Sequence, residues 1–233
     1  MIHIEHFTFN SFYTNCYVIW DETGNCAIAD PACHSEAEIK KLADFIQAKG
    51  LQPQCIMLTH CHFDHIYGMQ ALAEGYEIPV YYCSKELYSL ETVNPHICNA
   101  YGLPLPETFP IIKNGSQIHC PSRAINVREG ETIDVGDLKF EVIETPGHSV
   151  GGLCFLERTE KVLISGDTLF AGAIGRTDHP GGDYDVMMKS IFEKLLMLDG
   201  ETRVLPGHGP ASDIATERMT NPFLMPFNEP MED

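Results

Sequence analysis

Residues 60–65 (HCHFDH) constrain this chain more than any other feature, because they place three histidines and one aspartate within six residues. The run follows residues 55–58, a short apolar segment that predicts a buried strand. A strand end holds such a cluster rigidly. In a loop, the first two histidines can face one centre while the aspartate and the last histidine face another. The pattern predicts a transition-metal site, and the alternative is a solvated polar loop. The candidate ligands are His60, His62, Asp64 and His65.

Charge and composition argue against several classes of function. The chain has 233 residues, of which 44% are hydrophobic and 21% charged, which is ordinary for a globular protein with a substantial core. Its formal net charge of -18 argues against nucleic acid or an anionic membrane as a partner. The N-terminus has no basic region followed by an apolar run, and no apolar stretch is long enough to span a bilayer. We therefore expect no signal peptide and no membrane or nucleic-acid partner.

The cysteines indicate a reducing compartment. There are 9 of them, scattered along the chain without a CxxC pair, so we expect reduced thiols in a cytoplasmic protein. Cys61 differs from the others because it stands between two candidate ligands. Its side chain can either join the metal site or point away from it.

Segments typical of strands and helices alternate along the chain, and no linker divides it convincingly. Residues 35–48 are expected to form a helix, with Ser35 as N-cap and Glu38 in the capping-box position. Further helices are expected at 69–74, at 85–101 with an interruption near Pro95, and at 185–198. The strands are expected at 2–9, 16–20, 26–30, 55–58, 79–82, 125–128, 139–145, 153–157, 161–165 and 203–205.

Two segments stand apart from this alternation. Residues 102–117 are rich in proline and glycine and predict a loop, so residues 85–117 are a candidate lid over a substrate. An ordinary loop of the core or surface is an equally favoured alternative for this segment. Residues 210–233 are expected to form a C-terminal tail.

Three more candidate ligands occur later in the chain. Each follows a predicted strand and stands next to a glycine, where the backbone can turn sharply. Alone, such a residue is more often a cap or a surface group. After the first cluster, and in this order, the three support one another as parts of one metal site. They are His148, Asp167 and His208.

With these residues in place, the chain resembles the metallo-β-lactamase-fold hydrolase superfamily and, within it, the single-domain glyoxalase II-like hydrolases. The resemblance extends over residues 30–209 and includes GDTLFAG at 166–172, GRTD at 175–178, PGHGP at 206–210 and, beyond that range, TNPF at 220–223. It implies a single α/β domain over residues 1–233, built as a four-layer αββα sandwich. Two mixed sheets would pack face to face with helices outside and metals at one edge between the sheets.

The resemblance also implies two divalent metal ions, zinc foremost, with iron or manganese as alternatives. Imidazole and carboxylate ligands suit these metals. Two such ions lower the pKa of a bridging water towards about 7, which gives a hydroxide that can attack a carbonyl. Asp64 or water would protonate the leaving group, and Asp30 would orient a ligand histidine or, equally, cap a turn. The implied ligands are His60, His62 and His148 for the first metal and Asp64, His65 and His208 for the second, with Asp167 bridging both.

The implied reaction is hydrolysis of a small anionic thioester such as S-lactoylglutathione. Arg176 stands where these enzymes place a basic residue for a substrate carboxylate, and its planar fork suits that group. The alternative for Arg176 is simple surface solvation.

Other activities of the fold compete with this interpretation. A persulfide dioxygenase would hold one iron with His60, His148 and Asp167. A lactonase is less favoured, and true β-lactamases lack the bridging aspartate. A metal-binding protein without turnover is a further alternative, which the intact set of ligands disfavours.

Overall fold

The computed structural model describes residues 1–105 and 124–225, and its strands form two six-stranded mixed sheets. The first sheet has the order β1-β2-β3-β4-β5-β6. Its first two pairings are antiparallel and the remaining three are parallel. Its strands are β1 (His3–Phe9), β2 (Thr14–Trp20), β3 (Asn25–Ala29), β4 (Gln52–Met57), β5 (Val80–Tyr82) and β6 (Ala124–Asn126).

The second sheet is built from the later part of the chain. Its strands lie in the order β14-β13-β10-β9-β8-β7, with one parallel pairing, between β10 and β13. A separate small hairpin pairs β11 with β12. The ranges are β7 (Thr132–Val135), β8 (Leu138–Glu144), β9 (Leu153–Glu157), β10 (Val162–Gly166), β11 (Leu169–Phe170), β12 (Ala173–Ile174), β13 (Arg203–Pro206) and β14 (Ser212–Asp213).

Helices cover the outer faces of both sheets. A 3₁₀ turn at Ser84–Glu86 and a π-helical turn at Ser89–Val93 precede the fourth helix, and a 3₁₀ turn at Leu195–Met197 follows the fifth. Within the described ranges, no helix has the length and hydropathy needed to cross a membrane. The helices are α1 (Glu36–Lys49), α2 (Phe63–Ile66), α3 (Met69–Tyr76), α4 (Asn94–Tyr101), α5 (Tyr184–Glu193) and α6 (Ile214–Thr220).

Three apolar layers hold these elements together. Leu42 of α1 and Leu72 of α3 pack on the outer face of the first sheet. Met57 of β4 and Phe155 of β9 both lie in the layer between the two sheets. Ile191 of α5 packs on the outer face of the second sheet. Burial of large apolar side chains in each layer stabilises the stack, because each contributes about 1.5–3 kcal/mol. The arrangement confirms the expected αββα sandwich with two mixed sheets.

The first helix begins where its sequence predicts. The Ser35 hydroxyl accepts a hydrogen bond from the Glu38 N–H, and the Glu38 carboxylate accepts one from the Ser35 N–H. Gly50 ends the helix in the left-handed region at φ 67°, which glycine adopts without steric cost. The expected capping box is therefore confirmed.

Some elements differ from the sequence prediction. Residues 85–101 do not form one helix, because a 3₁₀ turn and a π-helical turn precede α4. Pro95 lies in the first turn of α4, where its missing N–H costs nothing. The helix expected at 185–198 ends as an α-helix at Glu193. The sequence did not predict α2, β7, the β11–β12 hairpin, β14 or α6. The last two give the expected tail from residue 210 some regular structure.

Candidate metal centre

The predicted ligands lie at strand ends along one edge of the sandwich. The loop after β4 carries His60 and His62, and α2 begins directly afterwards. His148 follows β8, Asp167 follows β10 and His208 follows β13. Because strands of both sheets end here, side chains far apart in sequence converge on one buried site. The seven predicted ligands are brought together as His60, His62, Asp64, His65, His148, Asp167 and His208.

These side chains form two groups. In one, the donor atoms of His60, His62 and His148 all lie within 4.8 Å of one another. His62 Nδ1 and His148 Nε2 are 2.9 Å apart. Three imidazoles that converge in this way can share one metal ion.

The second group combines a carboxylate with two imidazoles. Asp64 Oδ2 lies 3.5 Å from His65 Nε2 and 3.4 Å from His208 Nε2. The donor atoms of these three residues also lie within 4.8 Å of one another. Oxygen and nitrogen ligands of this kind suit a divalent ion.

The carboxylate of Asp167 lies between the two groups. Its Oδ1 is 3.5 Å from His65 Nε2. Its Oδ2 is 3.5 Å from both His148 Nε2 and His208 Nε2. One oxygen therefore faces the second group alone and the other faces both groups, which is the placement that a bridging ligand needs.

Several polar atoms in this cluster have no hydrogen-bond partner among the described residues. Buried polar groups are normally satisfied, so unpaired ones at one place indicate a missing partner. All of these atoms can donate a lone pair to a cation. The cluster therefore fits divalent metal ions. The atoms are Nε2 of His60, His62 and His65, and Oδ1 of Asp167.

Four of the imidazoles are oriented through Nδ1. His60 Nδ1 lies 3.1 Å from the Thr59 hydroxyl oxygen, and His65 Nδ1 lies 3.0 Å from Asp30 Oδ2. His148 Nδ1 lies 2.7 Å from a backbone carbonyl oxygen, that of residue 176, and His208 Nδ1 lies 3.1 Å from that of residue 12. Such contacts fix the ring and leave Nε2 free for a metal.

Asp30 lies beneath the centre and not on the surface. It is only 2% exposed, and its Oδ1 accepts the Thr59 N–H at 2.8 Å. Its Oδ2 accepts the Thr59 hydroxyl at 2.6 Å and faces His65 Nδ1. Although Asp30 could also form a donor group with His60 and His65, its Oδ2 is already engaged. The geometry is that of a carboxylate that orients His65.

Burial and charge divide the histidines by pKa. Desolvation lowers the pKa of His60, His62 and His148, so these imidazoles stay neutral with a lone pair available at pH 7. For His65, burial alone would lower the pKa, but Asp64 and Asp167 raise it well above its ordinary value. At His208, burial alone would also lower the pKa, but Asp167 raises it to about 10.

The carboxylates are held in their ionised form. Burial alone would raise the pKa of Asp64, but His65 and His208 lower it to about 2. The same two histidines outweigh burial at Asp167 and lower its pKa well below the usual range. Both groups are therefore available as anionic ligands at neutral pH.

The side chain of Arg176 lies at the mouth of the site, paired with a neighbour. Its Nε and Nη2 donate to the two carboxylate oxygens of Asp178 at 2.9 and 3.1 Å. Both side chains are mostly exposed, and both line a cavity of about 890 Å³ above the metal ligands. The cavity wall also includes Phe63, Tyr101 and Phe170. The arginine is thus within the cavity, but it is already engaged by an anion.

Cys61 does not contribute to the cluster. Its side chain packs in the apolar layer outside the first sheet, and burial raises the pKa of its thiol. It belongs to none of the metal-binding groups that the described residues form. The other cysteines of the described ranges are also buried and unpaired, while Cys120 lies outside those ranges.

Sequence reasoning missed several residues that hold the ligands. The Thr14 hydroxyl donates to Asp64 Oδ2 at 2.7 Å. The side-chain amide of Asn15 donates to the carbonyl oxygens of Pro206 and Gly209, on either side of His208. His179 packs its ring against His62 and His148. No local spacing signals these roles, because the contacts join residues between 31 and 194 positions apart.

The candidate lid lies only partly within the described residues. Ile97 and Tyr101 of α4 line the cavity, whereas Glu86 and Asn94 are buried beneath the ligand loop. Leu105 is exposed, and Phe109 lies outside the described residues together with the rest of 106–117. The part seen up to residue 101 thus forms a wall and a support of the site.

Comparisons with known proteins identify the family of this chain. A family model of the metallo-beta-lactamase superfamily matches residues 10–208. The hydroxyacylglutathione hydrolase GloC of Haemophilus influenzae is 34% identical, over 96% of this chain and 98% of its own length. The crystal structure of BLEG-1 B3 metallo-beta-lactamase is similar, with a TM-score of 0.82 at 32% identity, over 96% of this chain and 100% of that one. TTHA1623, in a di-iron-bound form, has a TM-score of 0.77 at 34% identity, over 94% of this chain and 100% of that one. This chain belongs to the metallo-β-lactamase superfamily of metallo-hydrolases.

Proposed function

We propose that the protein is a metal-dependent thioester hydrolase acting on small anionic thioesters of the S-lactoylglutathione type. The observation that carries this proposal is the position of Asp167, whose carboxylate faces both groups of metal-binding side chains. The similarity to a hydroxyacylglutathione hydrolase over nearly the whole of both chains supports the choice of reaction.

Two divalent ions, with zinc as the first candidate, would occupy the two groups of ligands. The unpaired Nε2 atoms and the ionised carboxylates fit such ions. When bound, the ions supply Lewis acidity and an activated water for attack on a carbonyl. One would be held by His60, His62 and His148 and the other by Asp64, His65 and His208, with Asp167 shared.

Asp64 would act as a ligand and not as the acid for the leaving group. Its pKa of about 2 keeps it ionised at neutral pH. A thiol leaving group has an ordinary pKa near 8.5, so a thiolate departs without help from a strong acid. Water would then supply the proton to the free thiol.

The cavity beside the ligands suits a thioester that carries a carboxylate. Phe63, Phe170 and Ile174 offer apolar surface. The Arg176 guanidinium would meet the substrate carboxylate by exchanging its exposed partner Asp178. An exposed ion pair of this kind contributes only about 0–1 kcal/mol, so the exchange costs little.

The test combines metal content with turnover. The protein is purified without chelator, its metals per chain are measured by elemental analysis, and S-lactoylglutathione hydrolysis is followed alongside a lactone and a cephalosporin. We expect two metals per chain and hydrolysis that favours the thioester. The Asp167→Asn variant keeps the size of the side chain and serves as the control, which should hold at most one metal per chain and lose the hydrolysis. Two metals with preferred cleavage of the lactone or the cephalosporin would refute the thioester assignment, and metal without turnover would leave only a binding protein.

A mononuclear iron dioxygenase acting on persulfides is the second candidate. The His60 and His148 rings lie 4.9 Å apart, and His148 Nε2 is 3.5 Å from Asp167 Oδ2, which gives a two-histidine, one-carboxylate set. The similar structure in a di-iron-bound form supports iron as a metal for this fold. A single iron per chain, with oxygen consumption on glutathione persulfide and no thioester hydrolysis, would favour this candidate over the first.

A further inference from the structure

Glu86 is a fully buried carboxylate that touches two ligand-bearing loops at once. It lies in the 3₁₀ turn after β5 and is 0% exposed. Its Oε2 accepts the backbone N–H of Cys61 at 2.8 Å, and its Oε1 accepts that of Gly151 at 2.8 Å. Cys61 stands between two of the imidazoles, and Gly151 follows the loop that carries His148. The Glu86 side chain thus connects the loop of His60 and His62 with the loop of His148.

The peptide at Cys61 is held from both sides. Its N–H is bound by Glu86, and its carbonyl oxygen accepts the side-chain amide of Asn94 at 2.8 Å. Asn94 Oδ1 in turn accepts the N–H of Phe63 at 3.0 Å. Because this peptide lies between His60 and His62, the pair of contacts restricts where both imidazoles can point.

The chemistry of the contact requires a carboxylate. Each oxygen of Glu86 accepts one N–H, whereas an amide would offer one acceptor and turn its own N–H groups towards the second donor. Within residues 1–105 and 124–225, these two N–H groups are the hydrogen-bond donors to Glu86. A buried carboxyl group is costly unless its oxygens are hydrogen-bonded in this way. The fit at Gly151 is also close, since a Cβ there would lie 3.0 Å from Glu86 Cγ.

We propose that Glu86 is a positioning residue that fixes the distance between the His60–His62 loop and His148, and thereby sets the metal affinity of that half of the centre. This inference rests on the first metal position of the proposed function. It assigns Glu86 no contact with substrate. Its effect should appear in binding of metal at the three-histidine group and not at the group that contains Asp64.

The experiment measures zinc affinity by competition with a chromophoric chelator. Glu86→Gln is introduced into two backgrounds, His208→Ala, which retains the three-histidine group, and His62→Ala, which retains the other group. Residues that orient metal ligands typically change affinity by about 10- to 100-fold. We expect a loss of this size in the His208→Ala background and an unchanged affinity in the His62→Ala background.

Glu217→Gln is the matched control. Glu217 is also buried at 1% exposure and accepts a backbone N–H, that of Gly172, but it contacts none of the seven candidate ligands. We expect it to lower thermal stability without changing zinc affinity. If Glu86→Gln does not fold, Gly151→Ala perturbs the same contact through its Cβ and should weaken the same position.

Each outcome decides between the proposals. If wild-type protein binds no metal, the proposed function fails. If it binds two metals and Glu86→Gln binds both equally well, only the role of Glu86 is overturned. Equal weakening in both backgrounds, or the same weakening by Glu217→Gln, would show that Glu86 supports the fold alone.

Discussion

Thr14 gives the most direct test of how the site is held together. Its hydroxyl is fully buried and donates to Asp64 Oδ2 at 2.7 Å, on the same oxygen that faces His65 and His208. Thr14→Val keeps the shape of the side chain and removes the donor. A hydrogen bond to a charged group contributes about 1.5–3 kcal/mol, which corresponds to roughly a 10- to 150-fold change in an equilibrium constant. We expect zinc to bind the Asp64 group more weakly by a factor in this range.

The assay is chelator competition at pH 7 in the His62→Ala background, which isolates that group, together with thioester turnover in the otherwise unaltered chain. Thr14→Ser is the matched control, because it retains the hydroxyl and loses only a methyl group. It should bind zinc nearly as well as the parent. An unchanged affinity in Thr14→Val, or an equal loss in Thr14→Ser, would refute the argument that this hydrogen bond positions Asp64.

Four further substitutions test three other parts of the structure. Asp167→Ala should reduce zinc from two ions per chain to at most one, measured by elemental analysis, and abolish thioester hydrolysis, measured by turnover. Two metals per chain with full activity would contradict the bridging role of Asp167. Arg176→Ala should raise KM for carboxylate-bearing thioesters and leave KM for short neutral thioesters little changed. Asp178→Asn should lower KM for the carboxylate-bearing thioesters, because it frees the Arg176 guanidinium. Equal effects on both substrate types would make the arginine structural. Asp21 accepts the backbone N–H of Asp137 from the turn of the other sheet, and although burial would raise its pKa, the Thr23 hydroxyl and this N–H lower it. A depressed folded pKa contributes stability above the unfolded value of about 4 and loses it as the pH falls. Asp21→Asn should therefore lower the free energy of unfolding by about 1–2 kcal/mol at pH 7. The gap to wild type should narrow as the pH falls below about 4, measured by thermal unfolding followed by circular dichroism. A stability difference between Asp21→Asn and wild type that does not change with pH would refute this role of the Asp21 carboxylate.

The elements that the sequence predicts well are those with local signals. Helix α1 has its capping box at Ser35 and its glycine at position 50, and the structure confirms both. The start of α6 is set by a similar signal, because Asp213 Oδ1 accepts the N–H of Thr216. The sequence nevertheless does not predict this helix, because only seven residues follow the cap, too few to show a clear period. Strand β7 has the alternating burial of a strand but only four residues.

The candidate ligands stand out in the sequence because their spacing and glycine neighbours are local, whereas the residues that contact them from other parts of the chain do not. Asp30 contacts His65 across 35 positions, and Thr14 contacts Asp64 across 50. Glu86 contacts Gly151 across 65. These partners follow from the packing of two sheets, which brings strand ends together irrespective of their order. A buried acid or threonine has no signature in a single sequence that separates this role from a turn or a core position.

These long contacts also indicate what determines metal affinity in this chain. The seven candidate ligands occupy four segments of the chain, and three of these segments are tied by hydrogen bonds to other parts of the edge. Asn15 holds the loop of His208, and the carbonyl of residue 176 holds His148. Glu86 joins the His148 loop to the first ligand loop, while Thr14 binds Asp64. Because the loops are fixed by protein contacts, a metal need not order them on binding, and that saving in conformational entropy raises its affinity. Variants that break one tie should therefore weaken one metal position and leave the αββα core intact.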